Sequence, residues 1–154
     1  MHLLKNSIFT IMAVALTLAS CNRPINYSHY ESISTDGWLR SDQVEFDVAV
    51  TADGSYAQTL GLRTTSRYPF ANLTLVVERQ VFPALHHDID TIAINLTDQE
   101  GNTLGQGFRH LQYNIPLSSM TLQDGDSVHV SIRHLVKREC LPGITDIGFS
   151  MKSE

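Results

Sequence analysis

Val44-Glu45-Phe46-Asp47-Val48-Ala49-Val50 alternates strictly, with Val44, Phe46, Val48 and Val50 on one side and Glu45, Asp47 and Ala49 on the other. Successive side chains on a strand point to opposite faces, so this stretch predicts a β-strand with one face buried. The same period returns at Leu73, Leu75 and Val77, and again at Ile92, Ile94 and Leu96. It returns once more at Val128, Val130 and Ile132, opposite Ser127, His129, Ser131 and Arg133. A last run, Ile144, Ile147 and Phe149, slips phase around Asp146. Asp53-Gly54, Asp124-Gly125 and Glu100-Gly101-Asn102 fall between the runs, and such dipeptides tolerate the positive φ of tight hairpins. Short alternating runs broken by turn residues predict an all-β chain: a single antiparallel β-sandwich, jelly-roll or immunoglobulin-like. Apart from the leader, helical character is suggested only as a turn around residues 68–71.

Upstream of the strands the chain is built to be removed. Residues 1–7 carry Lys5 and no acid, and residues 8–18 are almost wholly apolar. A charged start followed by a short apolar run reads as a signal peptide, and a spanning helix would need about 20 apolar residues. Leu18-Ala19-Ser20-Cys21 then resembles the bacterial lipobox. Small Ala19 and Ser20 let the extended backbone lie close in a peptidase cleft. The Cys21 thiol accepts a diacylglyceryl group, and cleavage frees its amine for a further acyl chain. Each buried methylene contributes ~0.8 kcal/mol, so two or more chains anchor stably where one is marginal. The expected organisation is a signal peptide over 1–20, a lipidated cysteine and short tether over 21–27, and the sandwich over 28–154.

Composition narrows the partners. Loss of Lys5 with the leader takes the formal charge from −5 to −6. That mild acidity argues against nucleic acid and gives no support for electrostatic binding to anionic headgroups. With Cys21 acylated, Cys140 has no partner in the chain, so an exported domain must rely on its core rather than on a disulfide.

The usual catalytic signatures are missing: no phosphate-cradling Gly-rich loop, no nucleophile elbow, no cysteine pair at metal spacing. No catalytic residue, metal or cofactor is expected. Histidine is the one enriched reactive type, at His29, His86, His87, His110, His129 and His134. His86 with Asp88 could begin a metal-dependent hydrolase, but adjacent His86 and His87 point to opposite faces of a strand. Asp124 and Asp126 flank Gly125 and read as turn formers. A second class of function is a glycan- or peptide-binding sandwich, to which Trp38 with Tyr68 could contribute a stacking platform.

Four landmarks resemble the GldH-type gliding-motility lipoprotein family. They are Ile33 with Asp36-Gly37-Trp38 and Asp42-Gln43-Val44-Glu45-Phe46; then Arg67-Tyr68-Pro69-Phe70-Ala71-Asn72-Leu73. The third is Asp90-Thr91-Ile92 running into Leu96-Thr97-Asp98, Gly101-Asn102-Thr103-Leu104-Gly105 and Gly107. The fourth is Leu141-Pro142-Gly143-Ile144-Thr145-Asp146-Ile147-Gly148. Thr74 departs from the family, where an aromatic is common, and Cys140 is unusual.

The resemblance implies a non-enzymatic envelope lipoprotein linked to gliding and type IX secretion, acting as a scaffold or accessory protein through contacts with envelope proteins. Lipoproteins of the same phylum reach the cell surface on an acidic signal after the cysteine. Asn22-Arg23-Pro24-Ile25-Asn26 holds no acid, which implies an outer-membrane anchor facing the periplasm. Asp90-Thr91-Ile92 and Asp126-Ser127-Val128 resemble that phylum's O-glycosylation sequon, with Thr91 and Ser127 as acceptors.

Overall fold

The computed structural model describes residues 26–154, so Cys21 and the segment expected to be a signal peptide lie outside the described residues. Each alternating run becomes a strand. In chain order the elements are β1 (Asn26–Ser32), β2 (Trp38–Leu39), β3 (Val44–Ala49), β4 (Gly54–Thr64), β5 (Asn72–Phe82), β6 (His86–Asn95), β7 (Leu111–Leu122), β8 (Ser127–His134), β9 (Cys140–Leu141) and β10 (Ile144–Ser153). Among the described residues there is no helix, and residues 68–71 are irregular. β1 begins at Asn26, two residues before the expected start of the sandwich at residue 28.

The strands pair antiparallel in two four-stranded sheets, β1-β10-β4-β7 and β3-β8-β5-β6, with β2-β9 as a small ribbon at one end. Consecutive strands mostly cross from one sheet to the other. That alternation is the jelly-roll arrangement, which settles the choice left open between jelly-roll and immunoglobulin-like. Two expected hairpins are corrected by it. Asp53-Gly54 and Asp124-Gly125 do not join paired strands; they carry the chain from β3 to β4 and from β7 to β8, between sheets. Only β5 and β6 among these neighbours form a true hairpin, through residues 83–85.

The inner faces follow the period-two reading. Val44, Phe46 and Val48 of β3, Val128, Val130 and Ile132 of β8 and Leu73, Leu75 and Val77 of β5 share the inner face of one sheet. Tyr56, Leu60 and Leu62 of β4 lie beside Ile147, Phe149 and Met151 of β10 in the other. The phase slip around Asp146 is a β-bulge, with the register shifting between Ile144 and Asp146.

One inward position is charged. Arg79, on the same face as Val77 and Val81, is 1% exposed. Its guanidinium donates to Asp88 at 2.5 Å, to Asp90, to Ser118 at 3.1 Å and to the Gln58 side-chain oxygen at 3.4 Å. A buried guanidinium is costly to desolvate and is tolerated because these acceptors converge on it. The network ties edge strand β6 to β4 and β7 across the sandwich.

Candidate functional site

Connections sort the sandwich into two ends. Residues 50–53 and 123–126, the β5–β6 tip, the start of β1 and the C-terminus gather at one, here the tether end. The opposite, or far, end holds the β1–β2–β3 connection, residues 65–71, residues 96–110 and the segment from Leu135 to Gly143. The turn portions of all four landmarks lie there.

Their side chains interlock. Trp38, 1% exposed, donates its indole N–H to the Asp42 carbonyl at 3.2 Å and packs edge-on against buried His134, ring centroids 5.2 Å apart. His134 Nε2 donates to the Trp38 carbonyl at 3.2 Å, while its Nδ1 has no partner. Burial pushes the His134 pKa below its ordinary value, opposed in part by the bond to Trp38. β2 pairs with β9, which joins the first landmark to the fourth: Trp38 lies opposite Leu141 and Leu39 opposite Cys140. Gly143 sits at φ +84°, and a Cβ there would come within 2.2 Å of the Tyr68 nitrogen. The fourth landmark is therefore pressed onto the second. Tyr68 donates its hydroxyl to the Asn72 carbonyl at 2.7 Å, and burial pushes its pKa up to about 12.

The third landmark braces a long loop. Asp98 accepts from the Asn102 backbone at 2.7 Å and its side-chain amide at 2.9 Å, which holds the Asp98 pKa below the ordinary carboxylate value. Thr97 and Thr103 form a β-bridge. The Tyr113 hydroxyl donates to the Leu96 carbonyl at 3.2 Å and lies 3.0 Å from the Thr103 hydroxyl. Gln106 and Gln112 then exchange backbone bonds of 2.8 and 2.9 Å, closing a small turn. Gly107 in that turn has φ +126°, and a Cβ would strike the His110 carbonyl at 2.1 Å. Phe108, next in the chain, stands fully exposed. A rigid loop that presents an aromatic to solvent has already lost the entropy that binding would cost.

Phe108 has company. Leu39, Phe70, Leu104 and Leu135 are exposed at the same end. Grooves open at this end: one of about 380 Å³ along residues 31–34, Gly37, Trp38 and residues 42–45, one of about 330 Å³ between residues 32–35, Thr65, Arg67 and residues 143–146, and one of about 410 Å³ by Ala71, Asn95, Asp98 and Leu104. Charges here are mixed, with Arg40, Arg67, Arg109, Lys137 and Arg138 among Asp36, Asp42, Asp98, Glu100 and Glu139.

Other sites read from the sequence fall elsewhere. Cys21 lies outside the described residues. Thr91 and Ser127 are both exposed on the outer face of the β3-β8-β5-β6 sheet, but their partners on β5, Val76 and Phe82, are six residues apart. Their neighbours Asp90 and Asp126 have structural tasks, at Arg79 and at the Gln123 backbone nitrogen (2.9 Å). The hydrolase idea loses its carboxylate, because Asp88 is taken by Arg79. Among the described residues no three His, Cys, Asp or Glu side chains converge as metal ligands. The stacking platform is also corrected: Trp38 is buried and Tyr68 is turned onto its own backbone. Cys140 is half-buried, its Sγ 3.1 Å from the Asp36 carbonyl.

The GldH lipoprotein family matches residues 25–151. The chain is 27% identical to the gliding motility lipoprotein GldH of Flavobacterium johnsoniae, covering 98% of each. It is 26% identical to the homolog in Christiangramia forsetii, over 95% of this chain and 94% of that protein. Among solved structures, the globular domain of zebrafish complement 1qA is similar with a TM-score of 0.48 at 12% identity, covering 85% of this chain and 97% of that one. With the match running from residue 25 to residue 151, and so through all four landmarks, the chain belongs to the GldH lipoprotein family.

Proposed function

We propose that the chain is cut before Cys21, acylated there, and held on the outer membrane facing the periplasm as a non-enzymatic scaffold or accessory protein. It works with the gliding and type IX secretion machinery by contacting envelope proteins through its far end. One observation carries this reading: the turns of all four family landmarks are spent on bracing one end of the sandwich, where Phe108, Phe70 and Leu104 stand exposed. Exposed aromatic anchors in a preorganised setting are the usual seat of binding energy in protein interfaces. The names of the two relatives support the link to motility.

The test is recovery of envelope proteins by pull-down of the intact lipoprotein. A Phe70→Ala, Phe108→Ala double variant should keep its fold and its membrane fraction while losing the recovered proteins. Undiminished recovery would remove the far end from the proposal. Cys21→Ser should leave the membrane fraction altogether. For location, acid placed at residues 23–25 should make the domain protease-accessible on intact cells. Continued protection would refute the periplasm-facing assignment.

O-glycosylation at Thr91 and Ser127 is part of the same proposal, supported by the exposure of both hydroxyl-bearing residues. A Thr91→Ala, Ser127→Ala variant should migrate faster than the parent on a gel, and unchanged migration would dispose of the modification.

A further inference from the structure

Phe82, Pro83, Ala84 and Leu85 make the tip of the β5–β6 hairpin, and all four are exposed, Leu85 at 67%. No charge lies within the tip, which His86 and His87 follow. Scattered apolar residues on a surface need no explanation, but four in a row at a loop tip ask for something to cover them.

Where the chain enters decides what that is. Five Cα steps separate Cys21 from Asn26, at most about 18 Å fully extended. Asn26 shares a cross-strand row with Lys152 and Ala57, and Gly54 lies three residues further toward the tether end. Those three residues span about 10 Å at the rise of a strand. At most about 8 Å then remains between the tether end and a membrane holding Cys21 when the strands stand along the membrane normal. The tip projects from this same end, beyond the pairing of Val81 with Val128 and of Phe82 with Ser127.

The lateral placement adds a second constraint. β1 lies at the edge of its sheet over β3, where His29 packs edge-on against Phe46. β6 lies at the opposite edge, over β7, linked by Ser118 and Asp90. Lipid and tip thus sit at opposite sides of one end.

We propose that the Phe82–Leu85 tip rests in the lipid bilayer itself, a second point of contact beside the acylated Cys21, which it presupposes. Two contacts at opposite edges hold the sandwich upright and aim the far end away from the membrane. Electrostatics help little, since Asp53, Asp124, Asp126 and Glu154 share this end with Lys152 as the nearby cation. The contact is apolar and should favour zwitterionic over anionic surfaces, more so at low salt.

The test uses the full lipoprotein, with Cys140→Ser, purified from membranes and reconstituted in phosphatidylethanolamine–phosphatidylcholine vesicles. An environment-sensitive fluorophore is placed at Leu85→Cys or, for comparison, at Leu104→Cys, and thermal melting confirms that each variant folds. Flotation with the vesicles reads the anchor; quenching by lipid-borne nitroxide reads the tip. The expected result is flotation of both, with blue-shifted and several-fold stronger quenched emission at 85 than at 104, reduced by adding phosphatidylglycerol at low salt. Flotation with equal, unquenched emission at both positions overturns the tip contact and leaves the anchor standing. Failure to float overturns the anchor, and the tip contact with it.

Discussion

At the far end the β6–β7 connection runs from residue 96 to residue 110, bridged twice and pinned by Asp98, Thr103 and Tyr113. At the tether end the corresponding crossings, residues 50–53 and 123–126, are four residues long and bond to each other, Val50 N–H to the Asp126 carbonyl at 2.8 Å and Gly125 N–H to the Val50 carbonyl at 3.0 Å. The far end spends buried aromatic and polar groups to hold exposed apolar residues in fixed places. The tether end also pins its crossings, Tyr56 donating to the Ala52 carbonyl at 2.6 Å and the Asp124 backbone N–H to Asp53 at 2.7 Å, but these short links hold up no exposed aromatic, and the apolar feature there is the hairpin tip. Long connections in compact domains usually carry function, whereas four-residue links do what topology needs. On the proposed reading, one end is built to be recognised and the other to be seated.

Breaking the scaffold of the far end should have the largest effect. Trp38→Ala removes a fully buried ring from between the β2–β9 ribbon and His134, at a cost of about 3–5 kcal/mol. Denaturant unfolding should show that loss, whereas Leu85→Ser at the other end should stay within about 0.5 kcal/mol of the parent. Equal losses would erase the distinction between the ends. Tyr113→Phe sharpens it more finely. Losing the hydroxyl shared by Thr103 and Leu96 should cost about 1 kcal/mol and speed hydrogen exchange in residues 97–106, leaving residues 123–126 unchanged.

The sequence announced the core and little of this division. β3, β5, β6, β8 and β10 were legible because their buried positions are Val, Ile, Leu and Phe at period two, and even the bulge at Asp146 showed as a phase slip. β4 was not read, because its inward row mixes Tyr56, Gln58 and Thr64 with leucines. β7 hid behind Pro116, Ser118 and Ser119; as an edge strand it can accept proline. Turn residues misled for a physical reason: Asp-Gly suits a tight reversal, but nothing local says which sheet the next strand joins. Arg79 could have been found, since the alternation Val77, Arg79, Val81 points it inward. Phe108 carried only a faint sign, its neighbours Gly105 and Gly107. Nothing in the sequence said whether Trp38 was core or surface, because burial at the far end depends on contacts with residues about 100 positions later.

A smaller effect should appear with pH. The His134 pKa is lowered by burial, so the unfolded chain takes the proton more readily than the folded one. Stability is therefore complete above the ordinary value of 6.5 and falls as pH drops below it toward the folded-state value. Thermal melts between pH 7 and 5 should fall more steeply for the parent than for His134→Asn. Identical slopes would mean that protonation at the far end does not limit stability.

The division of labour between the ends is most directly tested by photocrosslinking in living cells, with the reactive side chain at position 108 or at position 85 of the lipidated protein. Position 108 should yield covalent adducts with envelope proteins, and position 85 should yield none with protein. Protein adducts from 85, with none from 108, 104 or 70, would contradict the assignment of recognition to the far end.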